Sequence, residues 1–344
     1  MTTITDADAT EPAADPFGER AALSHAARWT ILGASFHVES DSEALLALAA
    51  EAYEGLPAHR FAAVAPMFHV ELRLAPARER EAVPAPPRVR MRAGAGLLCG
   101  VMDESNHVAI APGQRRALVT VSADMLARHP YHVRYELIEF AVYLLAARGQ
   151  DLVPLHGACF GLQGRGVLLL GPSGTGKSTL ALHALLDGFD FLAEDGVFVE
   201  PKQMRATGVS NHLHVRDDSL HWAHGEARRW LDEAPVIHRR SGVAKREADL
   251  RAGPGRLAAQ PLDLVAVLLL SGRVGSDVPL RRLAREDAVA CLVADQPYAA
   301  GQPHWQRFLD QALARGVYLL DRGAHPRDTL RLLASLLAAD AAVA

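Results

Sequence analysis

Short stretches in the first third of the chain alternate apolar and polar residues with period two. Phe68-His-Val-Glu-Leu-Arg-Leu74 puts every second side chain on one face, the pattern of a half-buried strand. Residues 29–40 have strand character too, and so do 96–102, 107–111 and 117–121. Leu45, Leu46, Leu48 and Ala49 fall at helical spacing over Ser42 to Tyr53, with Asp41 or Ser42 placed as the cap. Ala75 to Pro87 is charged and proline-rich, which predicts a loop. Together these elements predict a small α+β unit. Tyr131 to Ala147 is a strongly apolar helix, able to pack on this unit or on the next one, and Gly149-Gln150-Asp151 ends it.

From residue 151 the rhythm changes. Leu152 to Phe160 and Val167 to Leu170 read as buried strands separated by a turn over Gly161 to Gly166. A helix over Leu180 to Leu186 and a strand over Phe189 to Ala193 come next, then further β structure over 196–215. Leu262 to Leu270 is an apolar run of nine residues, long enough for a central strand. Helices are predicted over Trp305–Ala314 and Asp328–Ala338. Strands alternating with helices predict an α/β fold for this half.

Between the strand ending at Leu170 and the helix beginning near Leu180 stands Gly171-Pro172-Ser173-Gly174-Thr175-Gly176-Lys177-Ser178-Thr179. It fits G-x-x-x-x-G-K-[ST] at every fixed position, in the strand–loop–helix setting that the motif requires. Glycines let backbone N–H groups turn inward around phosphates, and a helix N-terminus adds positive potential. Lys177 is the residue that reaches the β- and γ-phosphates, and the Ser178 hydroxyl is a ligand for Mg²⁺. The pattern predicts binding of a nucleoside triphosphate through residues 171–179.

One short helix later comes Phe189-Asp-Phe-Leu-Ala-Glu194-Asp195-Gly196. A right-handed crossover would lay this strand in the same parallel sheet, with its C-terminal end beside the loop. Glu194 and Asp195 then point at the γ-phosphate or its metal. Phosphoryl transfer needs such a carboxylate, to accept a hydroxyl proton or to hold metal.

Composition narrows the partners. The net charge of −4 gives no reason to expect nucleic acid or a membrane surface, and no apolar run approaches a bilayer span. Cys99, Cys159 and Cys291 are far apart, which fits a reducing cytoplasm and neither a disulfide framework nor structural zinc. Met1 to Asp15 is acidic and rich in alanine and threonine, unlike a signal peptide, and reads as a disordered tail.

The stretches Leu155-His-Gly157, Gly164 to Ser178 and Leu192-Ala-Glu-Asp-Gly196 resemble the C-terminal domain of HPr kinase/phosphorylase. His156 stands fifteen residues before Gly171 and Asp195 eighteen after Lys177, intervals that match that family. The resemblance implies a kinase core related to phosphoenolpyruvate carboxykinase, using ATP and Mg²⁺ to phosphorylate a serine hydroxyl. It implies that Lys177 contacts the phosphates and that Asp195 is the base. His156 would be its polar partner, and Ser178 with Asp195 and Glu194 would face the metal. Glu194 replaces an aspartate often found there. The family's catalytic arginine matches Arg239 or Arg240, which spacing does not separate; Arg240 is carried as the candidate. The family's Leu-Glu-[IV]-Arg-Gly-[IL]-Gly stretch is absent, and Val209 to Ser219 stands in its place. The match covers residues 151–200, and beyond them the chain is closer to shorter HPr-kinase-related proteins.

His212, His214, His221 and His224 suggest an acceptor-facing loop rather than a transition-metal site, since no well-spaced third ligand accompanies them. The resulting expectation is a disordered tail over 1–20, an N-terminal α+β domain of unknown role over 21–130, and a phosphate-loop kinase domain over 131–344. The enzyme is expected to be a cytoplasmic ATP-dependent kinase acting on a hydroxyl, that of a serine in a protein or peptide. A small-molecule kinase and a nucleotide-binding regulatory module are the alternatives, and self-association is left open.

Overall fold

The computed structural model describes residues 22–77, 85–208 and 211–339. The expected tail over 1–20 lies outside them, as does part of the expected loop over 75–87. No helix among the described residues is long and apolar enough to cross a membrane.

The first unit is a seven-stranded sheet. Its strands are β1 (His25–Ile31), β2 (Ala34–Ser40), β3 (Met67–Ala75), β4 (Arg90–Gly94), β5 (Leu97–Val101), β6 (His107–Ala111) and β7 (Arg116–Ser122). The run 29–40, expected as one piece, is divided between two antiparallel strands that turn at Leu32 and Gly33. Helix α1 (Glu43–Tyr53) starts where the Ser42 side chain accepts a hydrogen bond from the Leu45 amide. Strand β4 had no hydrophobic signal because all five of its residues are exposed.

Helices α2 (Ala123–Arg128) and α3 (Pro130–Val133) lead through a π turn over Arg134–Ile138 into α4 (Glu139–Gly149). Leu137, Ile138, Val142 and Leu145 share one core with Phe36, Leu45, Phe68 and Ile110 of the first sheet and its helix. The apolar helix therefore packs on the first unit. Burial of each such side chain is worth about 1.5–3 kcal/mol. The π turn brings Arg134 and Glu139 together, because residues five apart align at π spacing and diverge at α spacing.

The second unit is built on a mixed sheet of ten strands. In chain order they are β8 (Val153–His156), β9 (Ala158–Leu162), β10 (Arg165–Leu170), β11 (Asp190–Ala193), β12 (Gly196–Glu200) and β13 (Arg205–Gly208), and later β17 (Arg256–Leu257), β18 (Leu262–Val274), β19 (Leu280–Arg282) and β20 (Val317–Arg322). A separate small sheet joins β14 (His212–Val215), β15 (Val236–His238) and β16 (Ala244–Asp249). Helix α5 (Lys177–Leu186) covers one face, where Leu180, Leu182 and Leu185 meet Val167, Leu169 and Leu268. Helices α6 (Gly225–Glu233), α7 (Arg285–Asp295), α8 (Pro297–Ala300), α9 (Trp305–Arg315) and α10 (Pro326–Ala339) complete the unit.

Two expectations are corrected. The strand expected over 152–160 breaks at Gly157, so that β8 pairs with β12 and β9 pairs with β10 and β11. Strand β11 shares a sheet with β10, but the sheet is mixed rather than parallel, because β9 runs antiparallel between them. Both still point the same way, so Gly171 and Glu194 emerge at one edge. The apolar run 262–270 is central as expected, with β10 and β20 parallel on either side of β18.

The break at Gly157 has a steric basis. A Cβ there would stand 2.7 Å from the Leu169 carbonyl oxygen and 2.6 Å from the Leu170 side chain. Gly157→Ala is expected to destabilise the protein by about 1–3 kcal/mol. Urea denaturation checks this, and an unchanged midpoint would show that the strands separate easily.

Candidate active site

The loop after β10 turns through Gly171, Gly174 and Gly176, all with positive φ. At Gly176, where φ is 103°, a Cβ would lie 2.6 Å from the Arg322 guanidinium, so only glycine fits. Lys177 opens α5 with its side chain buried. Its ammonium donates to the Gly171 carbonyl and, at 3.2 Å, to that of Pro172. Burial lowers the Lys177 pKa, while Asp295, Asp195 and Glu194 oppose that shift. The Gly171 amide donates to Asp295 over 3.2 Å.

Asp195 sits just before β12, and the register of β8 against β12 sets Gly196 opposite His156. This register brings the two side chains together, with His156 Nδ1 at 2.8 Å from Asp195 Oδ1. Gly157 also donates its amide to the Asp195 carbonyl over 3.0 Å. Two donors hold the other carboxylate oxygen: Arg239 at 3.1 Å and the Tyr135 hydroxyl at 3.3 Å. Arg239 donates in turn to that hydroxyl over 2.8 Å and lies 4.8 Å from the Tyr135 ring centroid. Burial alone would raise the Asp195 pKa. The His156 hydrogen bond and the charges of His156, Arg239 and Lys245 outweigh it and hold the carboxyl well below the usual carboxylate range. The hydrogen bond to Asp195 correspondingly raises His156 against the opposing effect of burial.

Beneath this pair runs a buried chain of charges. Glu194 is 3% exposed, and its Oε1 accepts from the His214 amide and lies 3.5 Å from His214 Nδ1. The other His214 nitrogen is 3.0 Å from Glu247, its register partner across β14 and β16. Glu247 accepts from Arg134, which also donates to Glu139 over 3.2 Å. Burial would raise Glu247, but His214 and Arg134 push it down to about 2. Burial would lower His214, but hydrogen bonds to both glutamates raise it.

Two cavities meet at Tyr135, His156, Glu194 and Asp195. The larger, of about 790 Å³, is lined by Gly174, Lys177, Ser178 and Thr179 together with Arg239 and Lys245. The smaller, of about 450 Å³, has no loop residue in its wall and is bounded instead by Tyr143, Phe198, Gln296 and Tyr298 among others.

No family model matches the chain. A curated HPr kinase/phosphorylase from Geobacter sulfurreducens is 35% identical over 91 residues, 25% of this chain and 28% of that one. The chain is HPr-kinase-like over that stretch. It thus spans little more than a quarter of the relative's length. A solved HPr(Ser) kinase/phosphatase from Coxiella burnetii aligns over 55% of this chain and 90% of its own at a TM-score of 0.24 and 13% identity, values too low to add to the sequence match.

The structure brings His156, Lys177, Ser178, Glu194 and Asp195 to one cleft. Arg240 is the exception among the candidates. It borders the cleft, but its guanidinium pairs with Glu136 through contacts of 2.7 and 2.6 Å and donates to the Pro86 and Pro87 carbonyls. The turn after β15 sends successive side chains apart, so Arg239 is the arginine on Asp195. Of the four histidines expected on an acceptor-facing loop, His212 and His214 lie on strand β14, within the stretch expected as β structure, and His214 is buried between two glutamates, while His221 borders the cleft. Among the described residues no group of three or more His, Cys, Asp or Glu side chains could hold a metal ion.

Sequence reasoning also missed Gln296. Its side chain accepts from the His156 amide and donates to the His156 carbonyl, both at 2.8 Å, and so fixes the end of β8. The Gly157 breaker was a signal for the strand end, but nothing local marks Gln296.

An NMR titration should place the His156 pKa above about 6.5, and Asp195→Asn should lower it, since burial and Lys177 then act unopposed by that charge. An unchanged value would contradict the coupling. Glu247→Ala leaves Arg134 and His214 buried without their shared partner, so calorimetry should show a loss of about 3–5 kcal/mol.

Proposed function

We propose that this chain is a phosphotransferase that carries the γ-phosphoryl group of ATP to a hydroxyl, that of a serine in a protein or peptide. The observation that carries the reading is the Asp195 carboxyl group, held by His156 and Arg239 in the same cleft as Lys177 and the glycine-rich loop. The loop and the start of α5 supply amide donors for phosphates, and Lys177 supplies a positive charge. Asp195 orients the acceptor hydroxyl and takes its proton. A carboxylate of such low pKa is a weak base, yet a loose transition state asks little proton removal before the phosphoryl group has moved. Its service is alignment first, together with the charges of Arg239 and His156 around it.

Ser178 and Asp195 present hard oxygen donors to the same cleft, a set that suits Mg²⁺. When bound, the ion would neutralise phosphate charge. Glu194 engages His214 through Oε1 alone, whereas both Asp195 oxygens already accept from side chains, so Glu194 stays in the metal-facing set with Ser178 and Asp195. In this reading the kinase unit is residues 131–344, with helix α4 lent to the core of the preceding unit.

The smaller cavity favours a second reading. Its volume of about 450 Å³ falls in the range of small-molecule sites, and it opens onto Asp195 without touching the loop. A small hydroxylated acceptor seated there would be phosphorylated with no protein partner.

Labelled ATP and Mg²⁺, supplied with proteins encoded beside this chain and with small alcohols including free serine, distinguish the two acceptors. Asp195→Asn is expected to lower transfer at least ~100-fold while sparing nucleotide binding, and Lys177→Ala to weaken both. Undiminished function of the Asp195 variant would instead identify a nucleotide-dependent regulatory module.

A further inference from the structure

The larger cleft carries two groups of aromatic side chains. Tyr131 and Tyr135 stack at 5.6 Å, and Tyr135 is already committed to Asp195 and Arg239. The second group is away from that chemistry. His221 and Trp222 line the cleft together with Thr179 and Ser219. The Trp222 ring lies 4.4 Å from His221 and 4.5 Å from His325, the latter edge-on at 81°. His183 closes the cluster at 6.4 Å from Trp222.

This corner is fixed relative to the loop. Thr179 and Ser219 share a hydrogen bond of 2.9 Å, which ties the turn over Asp217–Trp222 to the first turn of α5. His183 is six residues beyond Lys177 on the same helix, about 9 Å along its axis. A nucleotide with its terminal phosphates at Lys177 must place its base at a similar remove, across the α-phosphate and ribose. The Trp222 ring is half-buried, contacts two imidazoles, and borders the cleft.

We infer that Trp222, supported by His221 and His325, is the stacking platform for the nucleobase of the phosphoryl donor. The inference rests on the proposed function for the nucleotide donor and the position of its phosphates, and adds which side chain holds the base. Base–aromatic stacking is sequence-tolerant, so this corner contributes affinity for any base rather than selecting one.

Calorimetric titration of the full chain with Mg-ATP and with Mg-tripolyphosphate, which has no base, tests it. Trp222→Ala should raise the Kd for ATP roughly 10-fold or more and leave that for tripolyphosphate unchanged, and Trp222→Phe should restore most of the loss. The tripolyphosphate value also reports whether the variant is folded. An unchanged ATP affinity in Trp222→Ala, or equal weakening of both ligands, overturns the platform while leaving the phosphate loop intact. Failure of the wild-type chain to bind either ligand overturns the loop reading and the platform with it.

Discussion

The site depends on keeping the Asp195 carboxylate ionised in a partly enclosed place. Removing a carboxylate from water favours its neutral form; the His156 hydrogen bond and the charges of His156, Arg239 and Lys245 reverse that preference, and His156, Arg239 and Tyr135 are the donors that hold the group in place. Each donor comes from a different part of the chain: His156 from the end of β8, Arg239 from the turn after β15, and Tyr135 from the π turn before α4. Asp195 is thus the point at which the first unit's helix, the mixed sheet and the small sheet are tied together.

The same tie continues inward. Glu194, the neighbour of Asp195, reaches the first unit through His214, Glu247 and Arg134. Buried polar chains of this kind repay their desolvation only when each member is satisfied, and here each carboxylate of Glu194, Glu247 and Glu139 faces His214 or Arg134. Such an arrangement adds little net stability over an apolar core but penalises any displacement of one unit against the other. The positions of Glu194 and Asp195 therefore carry the packing of both units.

Much of the donor side was legible in the sequence because it is local. Gly171 to Thr179 is contiguous, and its loop follows from glycines and the flanking apolar runs. His156 and Asp195 were legible at one remove, through their intervals to the loop. The register that joins them required β8 to pair with β12, and the intervening β9 could not be separated from β8 within one apolar run except by Gly157. Arg239 and Arg240 are adjacent residues of one chemistry, and only the geometry of a hairpin turn tells them apart. Gln296, Glu247 and Arg134 act across separations of 140, 33 and 113 residues, contacts that leave no local pattern. Strand β4 was invisible for the opposite reason, since a fully exposed strand has no period to read.

The central claim is that Asp195 enters the reaction as a carboxylate secured by His156 and Arg239. Carbon-13 NMR of the side-chain carboxyl carbons, with Asp195 assigned by its absence in Asp195→Asn, measures this directly. The Asp195 signal is expected to stay that of the ionised form as pH falls through about 4, where ordinary aspartates titrate. A signal that titrates at or above that range would contradict the claim.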